Sequence, residues 1–207
     1  MRNMKRFIAA MLLLLTCSAH AGTGVDQMNT FLQEVRTLKA AFEQSVLDQD
    51  HESAARSQGM FYLKRPGYFR WDYSEPEDQM IVADGRQIWH LDPELEQASV
   101  QNQETALKGT PAMLLITGDP VENHFEVIDI GNRQGMGWVE LIPRDQESQF
   151  TRILLAFTNN ELRRMEMADK FGQITRFQFF DIECNIEFES NFFRYVPPEG
   201  LDIFRPD

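Results

Sequence analysis

Side chains that could perform catalysis are present but scattered. The four histidines, His20, His51, His90 and His124, stand far apart, and none has a second ligand type at metal-binding spacing. With 32 Asp and Glu residues, close carboxylate pairs arise by chance. Glu94 with Glu96, and Asp119 with Glu122, read as solvated faces or helix starts. There is no G-x-S-x-G nucleophile turn, phosphate loop, dinucleotide fingerprint or H-E-x-x-H helix. No enzymatic activity, metal or cofactor is therefore expected. The cysteines are Cys17 and Cys184. If Cys17 leaves with an N-terminal leader, Cys184 has no partner for an intrachain disulfide.

The chemistry the chain does offer is that of apolar surface beside one cation. Arg65 closes the apolar run Met60–Leu63 and precedes Pro66. Beyond it Phe69, Trp71 and Tyr73 alternate with Arg70 and Asp72, so three aromatics share one strand face. The same alternation recurs in Ile153, Leu155 and Phe157, and in Thr175, Phe177 and Phe179. An ordinary core accounts for such stripes. A curved sheet capped by helices accounts for them too, and encloses a pocket when it is wider than its side chains can fill.

Those stripes need strands to carry them. Met60–Leu63 and Phe69–Tyr73 flank the turn Arg65-Pro66-Gly67. Met80–Ala83 and Gln87–Leu91 flank Asp84-Gly85, a hairpin signal. Gln97–Gln101, Phe125–Ile130, Trp138–Pro143, Thr151–Phe157, Leu162–Asp169, Ile174–Phe188 and Phe192–Val196 continue the series. Asp48 to Ser57 is polar, a loop or an exposed strand start. Two segments read as helix. Thr23–Phe42 has Val25, Met28, Leu32, Val35 and Phe42 at helical spacing, with Thr23 and Asp26 as a start signal. Thr110–Ile116 opens with a Thr cap and Pro at the first turn, and Gly118 ends it. Many short strands at near-regular spacing predict an antiparallel sandwich or barrel.

The first residues predict a secretory signal. Arg2, Lys5 and Arg6 precede the apolar run Phe7–Leu15, too short to span a bilayer, and Ala19-His20-Ala21 is an A-x-A cleavage site. Residues 1–21 are read as a cleaved signal peptide and 22–207 as a single domain. Leu14-Leu15-Thr16-Cys17 faintly resembles a lipidation site, with Thr16 a poor residue before the cysteine. Cleavage takes the net charge from −12 to −15, because three basic residues leave and no acidic one does. So acidic a chain repels nucleic acid and anionic membrane surfaces.

Taken in order, Lys64-Arg65-Pro66-Gly67-x-Phe69-x-Trp71, Asp84-Gly85, Trp89-x-x-Asp92-Pro93-x-x-x-Gln97 and Thr110-Pro111-x-x-Leu114-Leu115 resemble the LolA family of lipoprotein carriers. Asp169-x-Phe171-Gly172-Gln173-x-Thr175 and Pro197-Pro198-x-Gly200-x-Asp202 extend the match over nearly all of residues 22–207. The resemblance implies a mainly β fold: an incomplete antiparallel barrel with a lid of short helices over a hydrophobic cavity. It implies a periplasmic monomer without cofactor. Such a carrier receives acylated lipoproteins from an inner-membrane ABC transporter and gives them to an outer-membrane receptor lipoprotein. By position, Arg65 is similar to the arginine that holds the lid closed, and Phe69 to the aromatic that accepts cargo, with Trp71 next on the same face. Leu32, Met113, Leu114 and Leu115 are expected to face the cavity from the lid. Two alternatives stay open: a membrane-anchored receptor of similar fold, acylated at Cys17, and a general periplasmic lipid-binding protein.

Overall fold

The computed structural model describes residues 23–50, 52–116 and 118–205; the expected signal peptide, its cleavage site and Cys17 lie outside them. Helix α1 (Gly24–Glu34) leads into strands β1 (Thr37–Leu47), β2 (Ser53–Lys64), β3 (Tyr68–Glu75), β4 (Gln79–Asp84), β5 (Gln87–Asp92) and β6 (Gln97–Asn102). Helices α2 (Gln103–Leu107) and α3 (Pro111–Ile116) and a 3-10 turn at Val121–Asn123 come next. Strands β7 (Phe125–Arg133), β8 (Met136–Pro143), β9 (Phe150–Thr158), β10 (Glu161–Asp169), β11 (Ile174–Cys184) and β12 (Asp202–Phe204) complete the chain.

Among the described residues the twelve strands form one sheet, ordered β12-β6-β5-β4-β3-β2-β1-β11-β10-β9-β8-β7. Two antiparallel meanders, β1–β6 and β7–β11, join where β1 pairs with β11. Strand β12 adds to β6 in parallel. The end strands β12 and β7 do not pair, so the sheet curls without closing: an incomplete barrel. Period-2 alternation puts Leu38, Ala40 and Phe42 of β1, Leu63 of β2, Leu155 of β9 and Phe179 of β11 into the buried interior.

Helix α1 fills one half of the concave side. Thr23 and Asp26 form the expected capping box at its start. Met28 and Phe31 are fully buried, each worth roughly 1.5–3 kcal/mol of apolar burial. A Cβ on Gly24 would come within 2.5 Å of the Trp138 carbonyl oxygen, so glycine lets α1 lie directly on β8.

Three expectations about elements are corrected. The helix predicted over Thr23–Phe42 stops at Glu34, and Leu38 and Phe42 belong to β1. Their spacing of four satisfies both the helical and the strand period. The stop comes from far away: the Asn185 side chain accepts from the Arg36 amide at 2.8 Å and donates to the Glu34 carbonyl at 3.2 Å. Strand β11 ends at Cys184 rather than Phe188, and Asn185 follows with φ +57°. Phe192–Val196 is not a strand. It belongs to an irregular strap on the outer face, where Phe192 packs on Tyr62 (centroids 4.8 Å apart) and Tyr195 on Trp89 (5.3 Å). Helix α2 is an addition to the expected elements; the Asn102 side chain caps it by accepting from the Thr105 amide.

Candidate functional site

Helices α2 and α3 cross the half of the concave face that α1 leaves uncovered. Between them and the sheet lies a cavity of about 240 Å³. Its floor includes Phe61 of β2, Phe69, Trp71 and Tyr73 of β3, and Met165 and Met167 of β10. Its roof is Leu107, Pro111, Ala112, Leu115 and Ile116. The aromatic stripe read from Phe69-x-Trp71-x-Tyr73 is therefore cavity wall. Strand alternation directs it inward and the rings pack along it at a tilt, Trp71 lying 4.3 Å from Phe61 and 4.9 Å from Phe177 between centroids. At about 240 Å³ the space falls below the roughly 300–1,000 Å³ of pockets that bury a drug-sized ligand.

Arg65 holds that roof. It is 8% exposed and follows directly on β2. Its Nε donates to the Leu115 carbonyl of α3 at 2.5 Å. Its Nη1 donates to the carbonyls of Phe31 (3.2 Å), Leu32 (3.1 Å) and Val35 (2.5 Å) at the end of α1. They cluster at the C-terminal, negative end of the α1 dipole, where the Phe31 carbonyl also accepts from the Val35 amide at 3.1 Å. The guanidinium also lies 5.0 Å from the centre of the Phe31 ring. Its Nη2 is buried with no partner among the described residues. Burial, and then repulsion by Arg36, pull its pKa down to about 10, so it stays charged at neutral pH. One cation thus ties α1 and α3 to the turn between β2 and β3.

Other ties fix the ends of the lid. The buried Gln103 of α2 donates to the Gly67 carbonyl at 2.8 Å and accepts from the Gly85 amide at 3.0 Å. Between α2 and α3, the Ser148 hydroxyl donates to the Gly109 carbonyl at 3.0 Å, and Lys108 pairs with Asp145 at 3.0 Å. Nothing local in the sequence marks Gln103 or Ser148 for these roles, since their partners are distant backbone atoms. Of the residues expected to meet cargo, Phe69, Trp71 and Leu115 line the cavity. Leu114 is buried in the surrounding core. Met113 faces a groove on the other side of the lid, beside Gly67 and Gly85. Leu32 packs against the core and gives its carbonyl to Arg65.

A roofed apolar cavity in a half-closed barrel is of the class that shelters apolar groups from water. Residues 33–196 match the family described as outer membrane lipoprotein carrier protein LolA. An outer-membrane lipoprotein carrier protein of Nitrosospira multiformis is 39% identical over 192 residues, covering 92% of each chain. That of Dechloromonas aromatica is 40% identical over 190 residues, covering 92% of this chain and 91% of that one. In fold alone, an uncharacterized conserved protein from Thermus thermophilus is similar, with a TM-score of 0.53 at 13% identity, covering 88% of this chain and 97% of that one. The chain belongs to the LolA family.

Proposed function

We propose that this protein carries outer-membrane lipoproteins across the periplasm. It takes them from an inner-membrane ABC transporter, shields their acyl chains in the cavity, and gives them to an outer-membrane receptor lipoprotein. The observation that carries this reading is the apolar cavity under a helix fastened by one buried arginine. In it Arg65 is the latch, and Phe69, Trp71 and Leu115 are the first surfaces that acyl chains meet. Leu32, Met113 and Leu114 join them once the lid has moved. The carrier acts as a monomer of residues 22–207 after loss of the signal peptide.

Magnitudes support an exchange mechanism. A buried methylene is worth roughly 0.8 kcal/mol, so three chains of about fifteen methylenes are worth about 36 kcal/mol against water. Non-covalent affinities level off at about 18–21 kcal/mol. The carrier therefore never releases cargo into water; it passes it from one apolar site to another. Extraction from the bilayer needs energy from a separate machine upstream, and no nucleotide site is called for in this chain.

Native mass spectrometry of protein purified from the periplasm tests the reading: bound acylated protein or lipid is expected. Intact-mass analysis separates the carrier from the anchored receptor. The carrier begins at Gly22; a diacylated Cys17 at the N-terminus would establish the receptor instead.

A further inference from the structure

One polar pair reaches from the wall of the apolar cavity to the polar groove beside it: Tyr73 lines the cavity, and Gln44 lines the groove with Glu43, Arg56 and Arg176. Tyr73 of β3 pairs with Gly59 of β2, and Gly59 in turn with Phe42 of β1. Gly59 has no side chain to stand between them, so the Tyr73 ring reaches across β2. It packs edge-on against Phe42, centroids 5.1 Å apart. The Tyr73 hydroxyl then donates to Gln44 Oε1 at 2.9 Å. Gln44 is two residues beyond Phe42 on the same face of β1. Burial raises the Tyr73 pKa to about 12, so the hydroxyl keeps its proton at any physiological pH.

This pair has hydrogen-bond capacity to spare. With the Tyr73 donor spent on Gln44, the Gln44 amide nitrogen carries two hydrogens and has no partner among the described residues. If the amide is turned over, its nitrogen donates to the Tyr73 oxygen and the hydroxyl hydrogen becomes the spare donor. Either way donors remain at the edge of an apolar wall. The other hydroxyl in the cavity lining, that of Thr110, donates to the Leu107 carbonyl at 2.8 Å and is occupied. A few placed polar groups in an apolar pocket fix the orientation of what enters.

We infer that Gln44 and Tyr73 form a polar anchor for the ester carbonyls where acyl chains join their glycerol, so that the cavity takes acyl esters in preference to ether-linked chains. This rests on the carrier reading above. Along an acyl chain the carbonyl oxygen is the first strong acceptor. An ether oxygen at that position is a weaker acceptor, and a methylene is none. The chains lie against Trp71 and Phe177 while the linkage stays at the rim. Gln44 is a positioning residue of this kind: it sets how far the chains enter.

The test is calorimetric titration of the purified protein with dioctanoylglycerol and with dioctylglycerol, its diether counterpart. The wild type is expected to bind the ester roughly two- to tenfold more tightly, the worth of one net hydrogen bond. Gln44→Met, of similar length, frees the Tyr73 hydroxyl to donate and is expected to lose only part of the preference; Gln44→Met combined with Tyr73→Phe is expected to bind both at the wild-type ether affinity. Tyr73→Phe keeps the ring contacts and is expected to retain part of the preference; it carries the test if Gln44→Met does not fold. Equal affinities in the wild type, or an undiminished ester preference in the variants, overturn the anchor and leave the acyl-binding cavity standing. No binding of either lipid by the wild type overturns the carrier reading, and the anchor with it.

Discussion

Arg65 donates its Nε hydrogen to the main-chain oxygen of Leu115 at 2.5 Å, fifty residues further along the chain and on the helix that roofs the cavity. The same guanidinium holds the end of α1, so its replacement frees both helices from the turn. Charge-assisted bonds contribute roughly 1.5–3 kcal/mol. Arg65→Leu is therefore expected to shift the lid towards the open, filled form by roughly ten- to hundredfold. Loading should survive and transfer to the receptor should fail, leaving cargo on the carrier. Release from membranes and transfer to the receptor are measured separately; normal transfer by the variant would refute the latch. Arg65→Lys, a point charge able to serve only one helix end, should fall between.

Phe69 is 3% exposed and lines the cavity. Phe69→Glu places a carboxylate on the apolar cavity wall, where an ionised group is unfavourable. Cargo loading in a reconstituted membrane-release assay should be abolished. The buried carboxylate also lowers stability, so Phe69→Leu serves as the control that keeps an apolar wall; it should load at close to the wild-type level. Efficient loading by Phe69→Glu would remove this residue from the cargo path.

Gly109, between α2 and α3, has φ +70°, and a Cβ there would lie 3.0 Å from Ser148 Cβ. Left-handed backbone costs a non-glycine residue roughly 1–2 kcal/mol. Gly109→Ala should lower unfolding stability by at least that amount. Urea denaturation followed by tryptophan fluorescence checks it, and an unchanged midpoint would mean that this connection is free to rearrange.

Burial holds the Tyr73 pKa at about 12 against an ordinary 10.0. Between those values the unfolded chain has lost the phenolic proton and the folded chain keeps it. The folded state binds more protons there, so stability falls as pH rises from about 10 to about 12. Tyr73→Phe should flatten this alkaline decline while Arg65 is retained in both proteins. Denaturation midpoints measured across that window give the comparison, and parallel curves would show that the Tyr73 hydroxyl is not sheltered.

The stripes on β3, β9 and β11, the hairpin at Asp84-Gly85 and the helix opening at Thr110-Pro111 can all be read from the sequence, because each is set by neighbours within a few residues. The end of α1 cannot. Leu38 and Phe42 fit two periods equally, and the groups that stop the helix, Asn185 and Arg65, are brought there only by the finished sheet. The strap after β11 reads as a strand because Phe192, Phe193 and Tyr195 are apolar. They pack on an outer surface through side chains, with the Arg70 guanidinium donating to the Phe192 carbonyl at 3.3 Å, and among the described residues no strand pairs with them. In the cavity, Phe69, Trp71 and Leu115 are legible from strand and helix phase. Gln44 is not, since a single polar residue at an inward position gains meaning only when Tyr73 reaches it across Gly59.

The seam between β1 and β11 governs the order in which this molecule can be assembled. Leu38 lies opposite Cys184, and Leu47 opposite Ile174. A chain made from its N-terminus must keep one edge of β1 unpaired until all the residues between have followed. The first meander can zip up hairpin by hairpin, and so can the second, but joining them is a long-range step of the kind that slows folding. Until then an open edge carrying Leu38, Ala40 and Phe42 is a template for pairing with other chains. A lipoprotein carrier is thus itself most exposed to that hazard just before this seam forms.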